Sequence, residues 1–346
     1  MIDVVVIPEM TEAETPRPCA SIRLFLPLTR KTVNTAVNVT FATIKNFDFY
    51  KADIIIAHRL SLDCSDHIDK VLNFCRSRAI KFVYDIDDDF LELGPDHVEF
   101  EKLHALKPLV LRMLRSADQI WVSTEILAAR YHCQFPGKVI TIPNTLDDRI
   151  WSSPVARTQE GANTDFLYMG TPTHRPDFMS IIFPAFSRLE REFKNTVNLT
   201  LIGVVDEIGL RVPYHIIKVP SAMTQSYPAF VSWLQSIGPF DIGLAPLLDT
   251  YFNRAKSNMK QLEYAALGLP TIAADLPPYR APGFVGRGVV LAEPTADGFY
   301  NAMREMVYDG ARRHQLRHEA RRLASELLGS DDNPRVQIIR DLLGKA

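Results

Sequence analysis

Charged residues in the last third of the chain have the types and the spacing needed to hold an anion. Lys256, Lys260 and Glu263 lie four and then three positions apart, an interval that places side chains on one face of a helix. Lysines near a helix start bind phosphate together with its free N–H groups, and a carboxylate further along accepts hydrogen bonds from hydroxyls. The spacing predicts a site for a ligand with phosphates at one end and hydroxyls beyond them. A solvated surface helix is the alternative.

Four further residues are candidates for binding the same ligand. Arg254 and Ser257 belong to the cationic segment itself. Gly170 and Thr171 open the polar loop "GTPTHRPD", which follows a predicted strand. A glycine at the start of such a loop lets the backbone approach a ligand closely. We therefore count Arg254, Ser257, Gly170 and Thr171 with the two lysines and Glu263 as candidate ligand-binding residues.

Two histidines are candidate catalytic residues. His174 lies in the loop after Gly170, and Asp177 is predicted to cap the helix that follows this loop. His58 ends a predicted strand next to Arg59, so it can face a cleft. For each histidine the alternative is a purely structural role.

The acidic run Asp85-Ile86-Asp87-Asp88-Asp89 also ends a predicted strand. Carboxylates at this spacing can hold a divalent cation against a diphosphate. They can equally accept hydrogen bonds from sugar hydroxyls. We favour the second interpretation, with no metal site and with Asp87 or Asp85 lining a cleft. The alternative is that Asp88 or Asp89 caps a helix.

Short β-branched runs alternate with amphipathic stretches along the whole chain. Such continuous apolar strands between helices indicate parallel sheets covered on both faces. The alternation of strands and helices begins again after the polar segment 151–164. This repetition predicts two consecutive doubly wound α/β domains. The predicted limits are 1–155, 156–325 and a C-terminal helix over 326–346 that packs back on the N-terminal domain. The predicted strands are 3–7, 38–42, 53–58, 81–86, 119–123 and 139–143, then 165–170, 198–203, 215–220, 241–246, 270–274 and 288–293.

Composition narrows the class of protein. The 346 residues carry 39 Lys and Arg against 41 Asp and Glu, a net charge of −2, which gives no general electrostatic reason for binding nucleic acid. The four cysteines lack metal-binding spacing and fit a reducing cytoplasm. No run reaches the apolar length of a membrane span. The basic amphipathic stretch 101–117 leaves peripheral association with the inner membrane face as an alternative to simple packing.

Three segments resemble GT-B glycosyltransferases of the large retaining family 4. "ADQIWVSTEILAARY…KVITIPNTLD" (117–147) is similar to the last βαβ segment of their N-terminal domain. "FLYMGTPTHRPDF" is similar to the strand and loop that open their C-terminal domain. "DIGLAPLLDTYFNRAKSNMKQLEYAALGLPTIAA" is similar to their donor-binding block. The resemblance implies two Rossmann-like domains that face each other across a cleft, an N-terminal one for the acceptor and a C-terminal one for a nucleotide sugar.

The resemblance also implies site roles. Glu263 matches the second glutamate of the family's donor motif, which typically contacts the nucleotide ribose. The first glutamate usually touches the transferred sugar, and here its place is taken by Ala255. We expect Lys256 and Lys260 to neutralise the diphosphate, with Arg254 or Arg175 assisting. Asp87 or Asp85 is expected near the acceptor or the transferred sugar, and Asp87 joins His174 and His58 as a candidate catalytic residue.

The function implied is sugar transfer from a nucleotide diphosphate sugar to a glycan, lipid-linked or other hydroxyl acceptor, with retention and without metal. The donor is UDP-, GDP- or dTDP-linked and is a substrate, so no tightly bound cofactor is expected. Family precedent places the protein in polysaccharide biosynthesis. Two alternatives stay open: a nucleotide-sugar epimerase of the same fold, and a catalytically silent partner that binds a sugar nucleotide or a glycan.

Overall fold

The computed structural model describes residues 1–95, 97–151, 163–205, 214–328 and 333–344. Most of the predicted linker 151–164 therefore lies outside the described residues. None of the described helices is both long and apolar enough to cross a membrane.

The N-terminal domain is built on a six-stranded parallel sheet of order β2-β1-β3-β4-β5-β6. Its central strands are buried along almost their whole length, as continuous apolar runs such as "IIIAH" require of a sheet covered on both faces. The strands are β1 Ile2–Ile7, β2 Val37–Phe41, β3 Ile54–His58, β4 Lys81–Ile86, β5 Gln119–Val122 and β6 Val139–Thr141.

The C-terminal domain repeats this plan, with the strand order β12-β11-β10-β7-β8-β9 and all pairs parallel. Its strands are β7 Thr164–Met169, β8 Val197–Ile202, β9 Tyr214–Ile217, β10 Ile242–Ala245, β11 Thr271–Ala274 and β12 Val289–Ala292. The predicted fold class, two doubly wound α/β domains, is confirmed, and each predicted strand is present within a few residues of its expected limits.

Helices cover both sheets. Those of the first half are Pro18–Ala20, Ser21–Phe25, Leu26–Leu28, Lys31–Asn34, Phe47–Phe49, Ser65–Arg78, Phe100–Ser116 and Glu125–His132. Those of the second half are Pro172–His174, Arg175–Asp177, Phe178–Ile182, Phe183–Phe193, Ser221–Met223, Tyr227–Ser236, Tyr251–Arg254, Met259–Ala266, Pro277–Arg280, Ala296–Tyr308, Gly310–Leu328 and Arg335–Leu342.

Each sheet has one point where the strand order reverses. In the N-terminal sheet it lies between β1 and β3, and in the C-terminal sheet between β7 and β10. In open parallel sheets the loops leave in opposite directions at such a point, so a crevice forms beyond the carboxyl ends of the two strands. These two crevices are where binding residues are expected.

The C-terminal helix Arg335–Leu342 packs on the N-terminal domain. Ile339 is fully buried in a cluster with β1 and β3 residues, and the Asn333 side-chain amide donates to the Pro27 carbonyl at 2.8 Å. The preceding helix Gly310–Leu328 continues through residue 325, where the sequence placed a domain limit.

A segment of the C-terminal half is built into the N-terminal core. Phe252 and Ala255 are 6% and 1% exposed and belong to the hydrophobic cluster of the N-terminal domain. The Phe252 ring meets His97 edge-on at 5.4 Å between ring centroids. The Ala255 carbonyl accepts a hydrogen bond from the Thr124 hydroxyl at 2.9 Å. The two halves are thus joined by a packed seam as well as by the chain.

We expect Phe252→Ala to destabilise the protein, because it opens a cavity in this seam. Loss of a buried phenyl ring lowers the free energy of unfolding by about 3–5 kcal/mol, measurable by denaturant titration. Phe49→Ala is the matched control, since the Phe49 side chain is 81% exposed. Equal effects of the two substitutions would contradict a packed seam at Phe252.

Candidate functional site

The helix Met259–Ala266 is fixed over the crevice between β7 and β10 by one tyrosine. The buried Tyr264 hydroxyl accepts from the Met169 N–H at 3.1 Å and donates to the Leu244 carbonyl at 2.9 Å. Gly243 makes room for the ring, since a Cβ atom there would lie 2.4 Å from it. The helix that carries Lys260 and Glu263 therefore has a set position relative to both strand ends.

The loop after β7 passes close to the loop after β8. Gly203 has a φ of +70°, and a Cβ atom on it would lie 2.4 Å from the Gly170 carbonyl oxygen. A Cβ atom on Gly170 would lie 3.1 Å from the Nδ1 atom of His174. Glycine at position 170 thus leaves room for the imidazole in the crevice.

His174 and Lys260 meet in this crevice. The Lys260 Nζ atom lies 2.7 Å from His174 Nε2, and on the other side the ring faces Thr171, whose N–H and hydroxyl lie 3.3 Å from Nδ1. Burial and then Lys260 hold the pKa of His174 well below its usual value, so the ring is neutral. Burial and then Lys256 lower the pKa of Lys260 to about 8.

Glu263 lies on the same helix, one turn beyond Lys260. Its Oε1 atom accepts a hydrogen bond from the Tyr227 hydroxyl at 2.8 Å. Burial raises the pKa of Glu263 to about 6, which leaves the carboxylate ionised at neutral pH. Sequence reasoning does not count Tyr227 among the candidate residues, because nothing in the local pattern shows that its hydroxyl reaches a residue 36 positions away.

The predicted single helix over the cationic segment is wrong at its start. The helix begins at Met259, so Lys256 and Ser257 precede it, and Arg254 ends the separate short helix Tyr251–Arg254. The chain breaks here because Ala255 turns inward to the N-terminal core. Lys256 still reaches the crevice, where its charge acts on Lys260 and His174.

The other predicted donor-side residues differ in their surroundings. Ser257 accepts a hydrogen bond from the Asn144 side chain of the N-terminal domain at 3.0 Å. Arg254 is exposed and is held by Asp249 through two hydrogen bonds of 2.6 and 2.7 Å. Arg175 is also exposed. Lys256 and Lys260 are therefore the cations that the fold brings to the crevice.

Asp177 does not cap the following helix as predicted. It lies inside a continuous helical run that starts at Pro172, with Thr171 as the capping residue. Its buried carboxylate accepts from the Leu248 N–H at 2.8 Å. This bond ties the loop after β10 to the helix after β7.

The N-terminal crevice contains a fully buried ion pair. Arg23 donates from Nε and Nη2 to the two carboxylate oxygens of Asp85, at 3.1 and 2.7 Å. Its Nη1 atom donates to the Ile142 carbonyl and, at 3.2 Å, to the Asn144 side chain. Asn144 in turn binds Ser257. Sequence reasoning missed Arg23, since a lone arginine in an apolar helix gives no signal of its partners.

His58 lies beside this ion pair. Its Nε2 atom is 3.8 Å from Asp85 Oδ1, and the side chain is fully buried. Burial lowers the pKa of His58 to about 4, so the ring is neutral and enclosed. This environment fits a structural residue better than the predicted catalytic one.

Asp87 and Asp88 open toward the C-terminal domain. The Arg59 guanidinium is 3.5 Å from Asp87 and 3.6 Å from Asp88. Burial raises the pKa of Asp88, while Lys256 of the other domain acts to lower it. For Asp87, burial acts to raise the pKa, but Arg59 together with Arg23 and other neighbours outweighs it, so the pKa lies below its usual value. The acidic run and the cationic segment therefore face one another.

The helix-capping alternative for the acidic run is wrong. Among the described residues no helix begins between Asp85 and Phe100, and Asp89 is instead buried and accepts from Arg130 at 2.8 Å. The Arg59 guanidinium supplies a positive charge between the Asp87 and Asp88 carboxylates.

One group of potential metal ligands occurs among the described residues, at a different place. Asp63, Cys64 and His67 offer ligand atoms within 4.8 Å of one another. Asp63 is exposed, and its carboxylate is 2.8 Å from His67 Nδ1. The three come from one loop and the first turn of one helix.

We expect Arg23→Met to be strongly destabilising, because it leaves the Asp85 carboxylate buried without its partner. Breaking a buried ion pair in this way lowers the free energy of unfolding by about 3–5 kcal/mol. Arg280→Met is the matched control: Arg280 holds Asp275 with the same two-bond geometry at an exposed site, where little change is expected. A small loss in both variants would show that the Arg23 pair is not a major stabilising contact.

No protein-family model matches the chain. No curated protein matches it either.

Solved structures do match it over their whole length. Sucrose-phosphate synthase of Thermosynechococcus elongatus has a TM-score of 0.66 at 11% identity, over 99% of this chain and 100% of that one. HepE of Anabaena, solved with UDP-glucose, has 0.62 at 13%, over 99% and 100%. WaaG, a glycosyltransferase involved in lipopolysaccharide biosynthesis, has 0.61 at 13%, over 100% of each chain.

A protein described as a UDP-N-acetylglucosamine 2-epimerase from Listeria monocytogenes also matches, with a TM-score of 0.51 at 12% identity, over 92% of this chain and 91% of that one. Likenesses at such identities show architecture alone. Two parallel six-stranded sheets in this order, matched along the full chain, show that the protein has the GT-B fold.

Proposed function

We propose that the protein is a glycosyltransferase that uses a nucleotide diphosphate sugar as donor. The observation that carries this proposal is the meeting of Lys256, Lys260 and Glu263 at the carboxyl ends of β7 and β10, facing the acidic run of the other domain. Among the described residues neither lysine has a carboxylate within ion-pair distance, so both cations are available to an anion.

In this proposal the donor lies along the helix Met259–Ala266. The diphosphate binds between Lys256 and Lys260, with Gly170 and Thr171 offering backbone and hydroxyl groups. The Glu263 carboxylate, already oriented by Tyr227, accepts hydrogen bonds from the ribose hydroxyls. Arg254 assists only if it leaves Asp249.

The positive charges of Lys256 and Lys260 suit a reaction in which a diphosphate leaves. The bond between the anomeric carbon and the diphosphate oxygen breaks as the acceptor oxygen bonds to that carbon, and the acceptor proton passes to the leaving phosphate. The lysines stabilise the departing diphosphate in a partly dehydrated site. Because attack and departure use the same face of the sugar, the anomeric configuration is retained. His174 is proposed to act by positioning Lys260.

The likeness to HepE, whose structures contain UDP and UDP-glucose, makes UDP-sugars the first donors to test, ahead of GDP- and dTDP-sugars. The acceptor is proposed to be a glycan or lipid-linked hydroxyl of polysaccharide biosynthesis, reached from the cytoplasmic side. Asp87 keeps its predicted catalytic role in this proposal, because its neighbour Asp88 lies within the electrostatic influence of Lys256.

Epimerase activity is the second candidate, since a protein described as an epimerase has the same fold. A catalytically silent partner that binds a sugar nucleotide is the third candidate. The alanine at position 255 is the residue that raises this possibility. Position 255 packs into the N-terminal core, so the role of the family's first glutamate has no counterpart there. Incubation with radiolabelled UDP-, GDP- and dTDP-sugars separates the three: slow hydrolysis of one donor supports a transferase, interconversion supports an epimerase, and tight binding without turnover supports a silent partner.

Lys260→Met and Glu263→Gln are each expected to weaken binding of the preferred nucleotide sugar. Loss of one charged hydrogen bond corresponds to about 1–3 kcal/mol, or about tenfold in Kd for each 1.4 kcal/mol. Isothermal titration calorimetry measures the change. Lys45→Met and Glu101→Gln are matched controls at exposed positions. Unchanged affinity in both site variants would remove this helix from the donor site.

The affinity for the nucleotide sugar should also depend on pH at both ends of the range. Lys260, with a pKa of about 8, loses its charge as the pH rises through that value, so binding weakens above it. Glu263, with a pKa of about 6, is protonated as the pH falls below that value, so binding weakens there too. Titrations at a series of pH values check this. In Lys260→Met the alkaline fall should disappear while the acid fall remains.

A further inference from the structure

A charged cluster closes the N-terminal crevice. Glu9 follows β1, Arg59 follows β3, and Asp87 and Asp88 follow β4. The Arg59 Nε atom is 3.5 Å from Glu9 and 3.5 Å from Asp87, and Nη2 is 3.6 Å from Asp88. We call these four residues the Arg59 cluster. It occupies the point where the strand order of this sheet reverses, which is the expected position for a ligand.

The four members are close but are not joined by directed hydrogen bonds. Their distances exceed the usual 2.7–3.2 Å of an N–H···O bond, and Glu9 Oε2, Asp87 Oδ1 and Arg59 Nε each lack a hydrogen-bond partner. One guanidinium is thus shared loosely among three carboxylates. The nearby Arg23–Asp85 pair differs, since both of its bonds are short and direct.

The backbone holds Arg59 in this position at a cost. Its φ of +47° is unfavourable for a residue with a Cβ atom, and such strain persists where surrounding contacts impose it, often at functional sites. The contacts are its N–H to the Asp85 carbonyl at 2.9 Å and the Tyr84 hydroxyl to its own carbonyl at 2.9 Å. The guanidinium also lies over the Phe90 ring, 4.8 Å from its centroid.

The charge of the cluster restricts what can bind. Three carboxylates surround one guanidinium, and Arg17 lies 3.2 Å from the other oxygen of Glu9. Three negative charges against two positive ones leave one negative charge, so an anionic group brought here meets repulsion. An ammonium group could donate to the carboxylates, but it has no lone pair to offer Arg59. A hydroxyl both donates and accepts, so a pair of neighbouring hydroxyls can serve Asp87 and Arg59 together.

We propose that the Arg59 cluster selects an uncharged sugar as the acceptor, held through two neighbouring ring hydroxyls, and excludes acceptors that carry a phosphate or carboxylate on that ring. This inference rests on the proposed function and adds the substrate class of its second site. The side chains of the cluster are 10 to 25% exposed, so each reaches the crevice with part of its surface, while the unpartnered atoms Glu9 Oε2, Arg59 Nε and Asp87 Oδ1 are buried.

The test uses the full chain with UDP present and measures saturation-transfer NMR signals of small sugars. The probes are the methyl pyranosides of glucose, galactose and mannose, each paired with its 6-phosphate. We expect ring-proton signals from at least one uncharged pyranoside and none from the phosphates. Equal or stronger signals from a 6-phosphate, or none from any pyranoside, overturn the proposal.

A charge variant tests the exclusion directly. Asp88→Asn removes one negative charge from a partly exposed position, and we expect the affinity for the 6-phosphate of the preferred sugar to rise by about fivefold. Asp297→Asn, at an exposed site on the other domain, should leave both sugars unchanged. No gain in Asp88→Asn with the fold intact, as judged by its unfolding midpoint, contradicts selection by charge.

Failure of this inference can be told apart from failure of the proposed function. Calorimetry with the nucleotide sugar on the same preparation reports on the donor site alone. Donor binding without the expected preference among the small sugars removes only the acceptor class. Absence of donor binding removes the proposed function itself.

Discussion

The buried ion pair between Arg23 and Asp85 is the contact on which the arrangement of both crevices depends. It neutralises the first carboxylate of the acidic run, while Asp87 and Asp88 face the cleft. It also orients Asn144, which binds Ser257 next to Lys256. A chain of direct bonds therefore runs from the core of the N-terminal domain to the cationic segment of the other domain. Because an unpaired buried charge is costly, the pair fixes this chain in one geometry.

The fold could be predicted from the sequence because burial of both faces of a sheet gives its strands a recognisable, continuously apolar sequence pattern. Strands such as "IIIAH" and "DIGLAP" are continuously apolar, and the helices between them are longer and polar on one side. The pattern determines which residues end strands, so the positions of His58, Gly170 and the acidic run at strand ends are predicted correctly. It does not show which of them are enclosed. The His58 side chain is buried by the neighbours of β3, and nothing in the sequence of its own segment indicates this burial.

The start of the cationic helix was predicted wrongly for a related reason. Spacing alone allows Lys256 and Lys260 to share a helix. The structure instead uses Phe252 and Ala255 to fill the N-terminal core, and a helix cannot bury these two side chains in one domain while its next turns cover the other. Long-range partners of this kind, like Tyr227 for Glu263 and Arg23 for Asp85, are set by tertiary packing and leave no local signal.

The two crevices differ in the sign of their charge, so the cleft has one cationic wall and one acidic wall. The C-terminal side offers Lys256 and Lys260, while the N-terminal side offers a surplus of carboxylates around Arg59. Under the proposed function, a diphosphate is attracted to the cationic wall and repelled by the acidic one. The proposed donor would therefore present its sugar toward the acidic wall, where hydroxyl groups are the partners that suit both carboxylates and guanidinium. Asp88 is influenced by the charge of Lys256 across the gap, so a phosphate bound on the cationic side would change the electrostatics of the acidic side without any movement of the backbone.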